Sequence, residues 1–212
     1  MHKVHSIFPF PIYRADMKQK ITEHDIDYIK NQKQKSTKNE GNLTSKENYL
    51  LNKKQLEHLK KDLMVHVDNY FKEVIHASDK VTPYITQSWA NFTTVNEHHH
   101  YHSHSNSIAS GVLYIAADKK HDSITFHKVN RDQIEIKVKE FNPYNSGRWV
   151  FEVDKGDLFI FPSTLAHSVP RKHDDDLRIS LSFNVFVKGI LGKQEDLNEL
   201  FVECSENLEL EY

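Results

Sequence analysis

Arg178-Ile179-Ser180-Leu181-Ser182-Phe183-Asn184-Val185 alternates polar and apolar side chains without a break. A β-strand turns successive side chains to opposite faces, so Ile179, Leu181, Phe183 and Val185 share one face and Arg178, Ser180, Ser182 and Asn184 the other. If such a strand stood at a surface, its polar face would meet water. In a closed β structure built around an internal site, the polar face lines the cavity and the apolar face packs on covering elements. Just upstream, Leu158-Phe159-Ile160-Phe161 is an apolar run of buried-strand length. It is followed by His167-Ser168-Val169-Pro170 and a polar turn, Arg171 to Asp176. A symmetric hairpin centred between Lys172 and His173 would place His167 opposite Arg178, and directly opposed residues share a face. On that geometry one His and one Arg line the same surface.

Outward from this stretch, β-rich runs occupy nearly the whole second half. They are Ile85 to Thr94, Ile108 to Ala116, Ser123 to Phe126, Gln133 to Val138, Trp149 to Val153 and Asp157 to Phe161, with Arg178 to Val187 as the last. Many short strands separated by turns indicate a sandwich, jelly roll or barrel. Before them, Leu56, Leu59, Leu63, Val67, Tyr70, Phe71 and Val74 recur at three- and four-residue steps, which predicts a helix over about 53–76 with one buried face. Asn52 and Gln55 resemble an N-terminal capping box for it. Ile7 to Tyr13, with Pro9 and Pro11, is expected to be extended and packed on the body. The span from Lys30 to Lys61 is rich in Lys, Asn and Gln, with Ser36 to Ser45 expected as an exposed loop. No aromatics interleave with Lys30 to Lys46 as stacking platforms, so a solvated face is preferred there to a nucleic-acid patch. The tail after Gly192 is acidic and is expected to be a short solvated helix or a frayed end. The resulting class is mainly β with N-terminal α-helices. We divide the single domain into 1–81 (extended segment and helices), 82–190 (β core) and 191–212 (acidic tail).

Composition sets outer bounds on function. The 212 residues carry a net charge of -2, which gives no general attraction to nucleic acid or anionic membrane. No apolar run approaches the ~20 residues that cross a bilayer, and no signal peptide is legible. The single cysteine, Cys204, cannot form an internal disulfide, which suits a reducing, cytoplasmic compartment. Histidine is abundant, 15 residues in all. Glu97-His98-His99-His100-Tyr101-His102-Ser103-His104 concentrates five of them.

In an extended segment His102 and His104 point the same way, as do His98 and His100. Two imidazoles so placed can both reach a metal at ~2.0–2.1 Å on a concave surface. Imidazole suits Zn, Cu, Fe and Ni alike, and a run this dense also offers adventitious binding. A third His from a distant strand, with an Arg beside it, sharpens the reading. The planar guanidinium grips a carboxylate through two parallel hydrogen bonds. The set then describes a metal with an anionic co-substrate next to it, the arrangement used by non-haem Fe(II) oxygenases for O₂ and a 2-oxo acid.

The segment from His102 through Tyr114, the run Phe161-Pro162-Ser163…His167-Ser168-Val169, and Arg178-Ile179-Ser180-Leu181-Ser182-Phe183-Asn184 together resemble the 2-oxoglutarate/Fe(II)-dependent oxygenases. Within them the chain is similar to an uncharacterised group of phages and marine bacteria, distantly related to prolyl hydroxylases; Phe8-Pro9-Phe10-Pro11 also looks like that group's start. The resemblance spans about 89–188. It implies a double-stranded β-helix, a cupin-like jelly roll. It also implies Fe(II) at His102 and His167 and 2-oxoglutarate as co-substrate, with Arg178 binding its far carboxylate, Ser180 as hydroxyl companion and Tyr114 contacting the same carboxylate. The chain departs from the family pattern at His104, where Asp or Glu is usual. Three-His iron sites support dioxygenases in other jelly-roll families, so His104 is taken as the third ligand.

His98, His99, His100 and His121 are read as solvated loop residues, and Asp174 to Asp176 as a solvated turn. Trp89 and Asn91 precede the cluster, Asn91 either lining the pocket or structural. The expected activity couples 2-oxoglutarate decarboxylation to oxidation of an unidentified small-molecule or protein substrate, with O₂ consumed and neither nucleic acid nor membrane as partner. A homodimer through edge strands stays open, and 130–148 is a rim by position. Two alternatives stand beside this reading: a three-His dioxygenase indifferent to 2-oxoglutarate, and a non-enzymatic jelly roll that binds metal or a carboxylated ligand.

Overall fold

The computed structural model of the chain describes residues 2–128 and 134–203. In chain order the elements are β1 (Tyr13–Asp16), α1 (Glu23–Asn31), β2 (Ser36–Lys38), β3 (Leu43–Ser45), α2 (Glu57–Tyr70), β4 (Val81–Thr93), β5 (His99–His102), β6 (Ala109–Ala116), β7 (Ser123–His127), β8 (Arg148–Glu152), β9 (Asp157–Pro162), β10 (His167–Val169), β11 (Arg178–Leu191) and β12 (Leu200–Val202). They build two antiparallel sheets. The larger runs β1-β9-β6-β11-β4-β3-β2, with β12 on the end of β11, and the smaller runs β5-β10-β7-β8.

The alternation in β11 decides which face does what. Ile179, Leu181, Phe183, Val185 and Val187 pack with Leu113, Ile115, Leu158 and Ile160 into one core, closed from outside by Leu59, Leu63, Val67 and Tyr70 of α2 and Ile29 of α1. The opposite face of the large sheet meets the small sheet through a second core of Val112, Tyr114, Ile124, Phe126, Phe159, Phe161 and Leu165. The polar side of β11 therefore faces the space between the sheets rather than bulk water. This is a jelly roll with helices on one outer face. Helix α2 buries Leu59, Leu63, Val67 and Tyr70 at the predicted spacing and continues through a π-helical turn, Phe71–Ile75. Among the described residues no helix is long and apolar enough to cross a membrane.

Several expectations are corrected. Asn52 does not cap α2; its Oδ1 accepts from Lys60 Nζ at 2.7 Å. The capping box belongs to α1, where Thr22 N donates to Asp25 Oδ2 (2.8 Å) and Asp25 N to Thr22 Oγ1 (3.2 Å). Ser36 to Ser45 is a hairpin, not an exposed loop. β4 presents an open edge there, and an unpaired edge seeks a partner; Leu43 pairs Phe92, and Ser45 Oγ accepts from Ala90 N at 3.0 Å. No strand forms over 134–138, where Ile134 and Ile136 are exposed and have no sheet face to cover; Gln133 lies outside the described residues. Ile7 and Phe8 are not packed on the body, Phe8 being 92% exposed. The tail returns as β12, pairing Leu200 to Val202 with Gly189 to Leu191; Cys204 lies outside the described residues.

The hairpin proposed for 167–178 does not exist. His167 belongs to the small sheet, between β5 and β7, and Arg178 to the large sheet, opposite Thr93. The turn between them crosses from one sheet to the other. Both residues are nonetheless buried, at 7% and 3% exposure.

Candidate metal centre

The small sheet carries the histidines. His167 on β10 pairs directly with His102 on β5, so the two side chains stand together, ring centroids 4.3 Å apart. His104 lies just past the end of β5, where its backbone N–H donates to the Ser163 carbonyl at 2.9 Å. This turns its ring parallel to His167 at 5.2 Å and toward Trp89 at 5.7 Å. One nitrogen from each of His102, His104 and His167 falls within 4.8 Å of the others, close enough to share a metal ion.

Hydrogen bonds fix which nitrogens those are. His102 Nδ1 sits 2.9 Å from the His100 carbonyl and His167 Nδ1 3.1 Å from the Leu165 carbonyl. A carbonyl only accepts, so both Nδ1 atoms carry the proton and both Nε2 lone pairs are free, the usual way a protein aims histidine ligands. Burial, reinforced by the neighbouring imidazoles, pushes His167 down to about 3 and His104 down to about 4. Burial also lowers His102. All three are neutral at neutral pH and ready to ligate.

Facing them is the polar side of the large sheet. Asn91, Ser180 and Tyr114 are directly paired across β4, β11 and β6, and Trp89, Ser182 and Val112 form the next row. All six line one pocket with His99, His102, His104 and His167. Asn91 is thereby placed on the pocket wall, its Nδ2 donating to Ser182 Oγ at 3.0 Å and its Oδ1 buried without a partner among the described residues. Burial raises the Tyr114 phenol, partly offset by the Arg178 guanidinium.

Arg178 is held from one side. Its Nη1 donates to Asp122 Oδ1 at 3.1 Å. That carboxylate also meets Lys172 Nζ at 3.2 Å, and Lys172 in turn reaches Asp174 at 2.5 Å. Lys172 and Asp122 are each almost wholly buried. Arg178 Nη2 is buried and has no hydrogen-bond partner among the described residues. Arg178 is not itself among the residues lining the pocket but lies two positions along β11 from Ser180, which is, and a buried guanidinium N–H left unpaired is costly unless an anion completes it. Neither Asp122 nor Lys172 was singled out from sequence. Both sit in charged turns, where solvation is the ordinary outcome. The reading of Asp174 as wholly solvated is corrected as well, since it caps the ammonium of Lys172.

His99 is the other residue the sequence misplaced. It lines the pocket, and its ring stacks on His102 at 4.6 Å and 13°. Strict alternation would send positions 99 and 102 to opposite faces. The pairing shows why it does not: His102 opposes His167 but His99 opposes Val169, three steps on β5 against two on β10. This β-bulge re-aims the strand, a device common beside active sites.

With that geometry in hand, comparison with known proteins places the chain. Residues 87–184 match a family model described as "Putative 2OG-Fe(II) oxygenase". Over that stretch, a little under half of the chain, it is similar to the 2-oxoglutarate/Fe(II)-dependent oxygenases. Among solved structures it is similar to HygX from Streptomyces hygroscopicus with nickel, 2-oxoglutarate and hygromycin B bound (10% identity, 82% of this chain and 82% of that one, TM-score 0.56). It is also similar to the epimerase SnoN in complex with Fe3+, alpha ketoglutarate and nogalamycin RO (9% identity, 84% and 80%, TM-score 0.58). A Pseudomonas putida prolyl-4-hydroxylase matches at 10% identity over 82% and 91%, with a TM-score of 0.54. At such identities these structures speak to the fold, the jelly roll. No curated protein matches the chain.

Proposed function

We propose that the protein is a 2-oxoglutarate- and Fe(II)-dependent dioxygenase, with His102, His104 and His167 holding the metal and Arg178, Ser180 and Tyr114 holding the co-substrate. The observation that carries this reading is the buried Arg178 Nη2, without a partner among the described residues, two positions along β11 from Ser180 on the wall of the pocket that the three neutral imidazoles line. The site fits its groups: three convergent nitrogens for a borderline metal, a guanidinium N–H for an anion, and two hydroxyls on the same wall. When bound, Fe(II) supplies positions for a chelating 2-oxo acid and for O₂, so that 2-oxoglutarate, O₂ and R–H become succinate, CO₂ and R–OH.

The residues of the chain have separable tasks. Asp122, itself anchored by Lys172, accepts from Arg178 Nη1, which leaves Nη2 for the far carboxylate. Ser180 and Tyr114, paired across β11 and β6, offer hydroxyls to the same group. Tyr114 stays a neutral donor because burial raises its phenol. The carbonyls of His100 and Leu165 keep His102 and His167 in the ligating tautomer. Phe161, 4.8 Å from His167 ring to ring, helps to exclude water.

Succinate release by iron-loaded protein tests the reading, together with binding of 2-oxoglutarate to the nickel-loaded protein. Arg178→Ala should abolish co-substrate binding while leaving metal uptake intact. Absence of turnover, with 2-oxoglutarate binding unchanged in Arg178→Ala, overturns it.

His104 favours a second reading, a three-His dioxygenase that uses no 2-oxo acid, because a neutral imidazole leaves the metal one net positive charge higher than a carboxylate would. Iron-dependent O₂ uptake indifferent to 2-oxoglutarate would select it. On the first reading, His104→Asp keeps the metal and 2-oxoglutarate turnover together.

A further inference from the structure

The bulge in β5 does more than move one ring. It brings His99, His100 and His102 to one patch, with ring centroids 5.1 Å (99 to 100), 4.6 Å (99 to 102) and 4.7 Å (100 to 102) apart. One nitrogen from each lies within 4.8 Å of the others, and all three residues are half-buried, whereas the His102, His104, His167 group reaches inward to buried His167. The β2–β3 turn braces this outer patch. Glu40 offers its carbonyl to His100 Nδ1 at 3.3 Å, the Asn39 amide lies 3.4 Å from His99 Nε2, and the His98 N–H donates to the Gly41 carbonyl at 2.9 Å. Gly41 has φ +92, and a Cβ there would fall 2.6 Å from the His98 ring, so the turn is seated closely on the histidine strand.

The two groups have one residue in common. His102 Nδ1 donates to the His100 carbonyl, which leaves Nε2 as its only lone pair, and one lone pair serves one metal ion. Both triads cannot be complete at once.

We propose that His99, His100 and His102 form an outer site for a borderline divalent metal ion, one that binds in competition with the inner triad by taking His102. Imidazole-only ligation selects ions such as Zn2+, Ni2+, Co2+ or Cu2+ over Mg2+ or Ca2+. Zn2+ is the best geometric match, since three imidazoles and one water complete a tetrahedron. The outer group is the more exposed, so an ion entering from solvent meets it first. An ion held there withdraws a ligand from the inner centre, so excess Zn2+ inhibits by occupying the outer site. That consequence for activity rests on the function proposed above; the site itself does not.

The test is Zn2+ uptake by equilibrium dialysis. His104→Ala/His167→Ala removes two inner ligands and should still take up one Zn2+ per chain, with circular dichroism showing the fold retained. Adding His99→Ala/His100→Ala should remove that uptake. No uptake by the folded double variant overturns the proposal. So does equally tight binding by a synthetic peptide of residues 97–105, because the fold would then build no site. Two Zn2+ per wild-type chain at saturation would overturn the competition. Should the inner double variant not fold, His99→Ala/His100→Ala alone carries the test with Co2+. The wild-type visible spectrum should contain a component that this variant lacks, and identical spectra overturn the proposal. None of these measurements needs 2-oxoglutarate turnover. A chain without turnover can still show the outer site, and an active chain can lack it.

Discussion

The two sheets of this jelly roll are built on different physics. In the large sheet, β11 runs from Arg178 to Leu191 with one face sealed under α1 and α2, so apolar burial holds it in register. In the small sheet, β5 has four residues and β10 three, and exposed Trp149 and Val150 lie on β8. The sheet has only a small apolar face of its own, chiefly Ile124 and Phe126 of β7. It is held by pairing, by packing on the large sheet, and across the gap by the Arg178, Asp122 and Lys172 network. The division teaches where precision comes from: the ligands stand on short bulged strands whose geometry is borrowed from the rigid sheet behind them.

The largest effect should come from breaking the rigid side. Phe183 is fully buried and fills the space left by Gly111, where a Cβ would fall 2.1 Å from its ring. Phe183→Ala should cost about 3–5 kcal/mol by urea denaturation and lower metal affinity although it touches no ligand. Unchanged metal affinity would show that the small sheet holds its geometry alone.

Next is the tie between the sheets. Asp122→Asn leaves Arg178 Nη1 and Lys172 facing a neutral amide in a buried place, a loss of about 3 kcal/mol since Lys172 keeps Asp174. Calorimetry should also show weaker 2-oxoglutarate binding to the nickel-loaded variant with nickel affinity near that of wild type. If metal and co-substrate affinities fall equally, the network serves the small sheet as a whole rather than the guanidinium.

Acid should loosen the small sheet first. His167 and His104 are held at about 3 and about 4 against an ordinary 6.5, so below pH 6.5 the unfolded chain takes up protons that the folded chain refuses. Stability of the metal-free protein is therefore whole above pH 6.5 and declines as pH falls toward about 4 and then about 3. Hydrogen exchange should show β5 and β10 losing protection before β11. Loading the metal should shift the decline to lower pH, until protons displace it. The smallest effect is local to the helical cover: Thr22→Ala removes the cap of α1 and should cost about 1 kcal/mol in denaturation, with metal binding unchanged.

What was readable in advance follows the same division. The faces of β11 and the buried stripe of α2 were legible because burial of an amphipathic element imposes its period on the sequence. His102, His104 and His167 were singled out by residue type and spacing, and the fold brings them together. A local hairpin would join His167 to Arg178 directly, but the chain between them crosses from one sheet to the other, which local symmetry cannot foresee. His99 reads from sequence as a solvated loop residue, and the bulge that brings it beside His102 leaves no periodic mark. Asp122 and Lys172 escaped notice because a charge in a polar turn looks the same whether water or a buried partner receives it.

The sequence by itself determined the mainly β class with a helical cover, which face of β11 is polar, and a supply of imidazole and guanidinium suited to a metal and an anion. Those are properties of residue type and period, which each short segment carries alone. Only the tertiary structure decided that the polar face looks inward, that His167 and Arg178 approach from different sheets, and that His99 joins His102. Each of these depends on how distant strands pair and on one extra residue in β5, and pairing between distant segments is settled by the packing of the whole core.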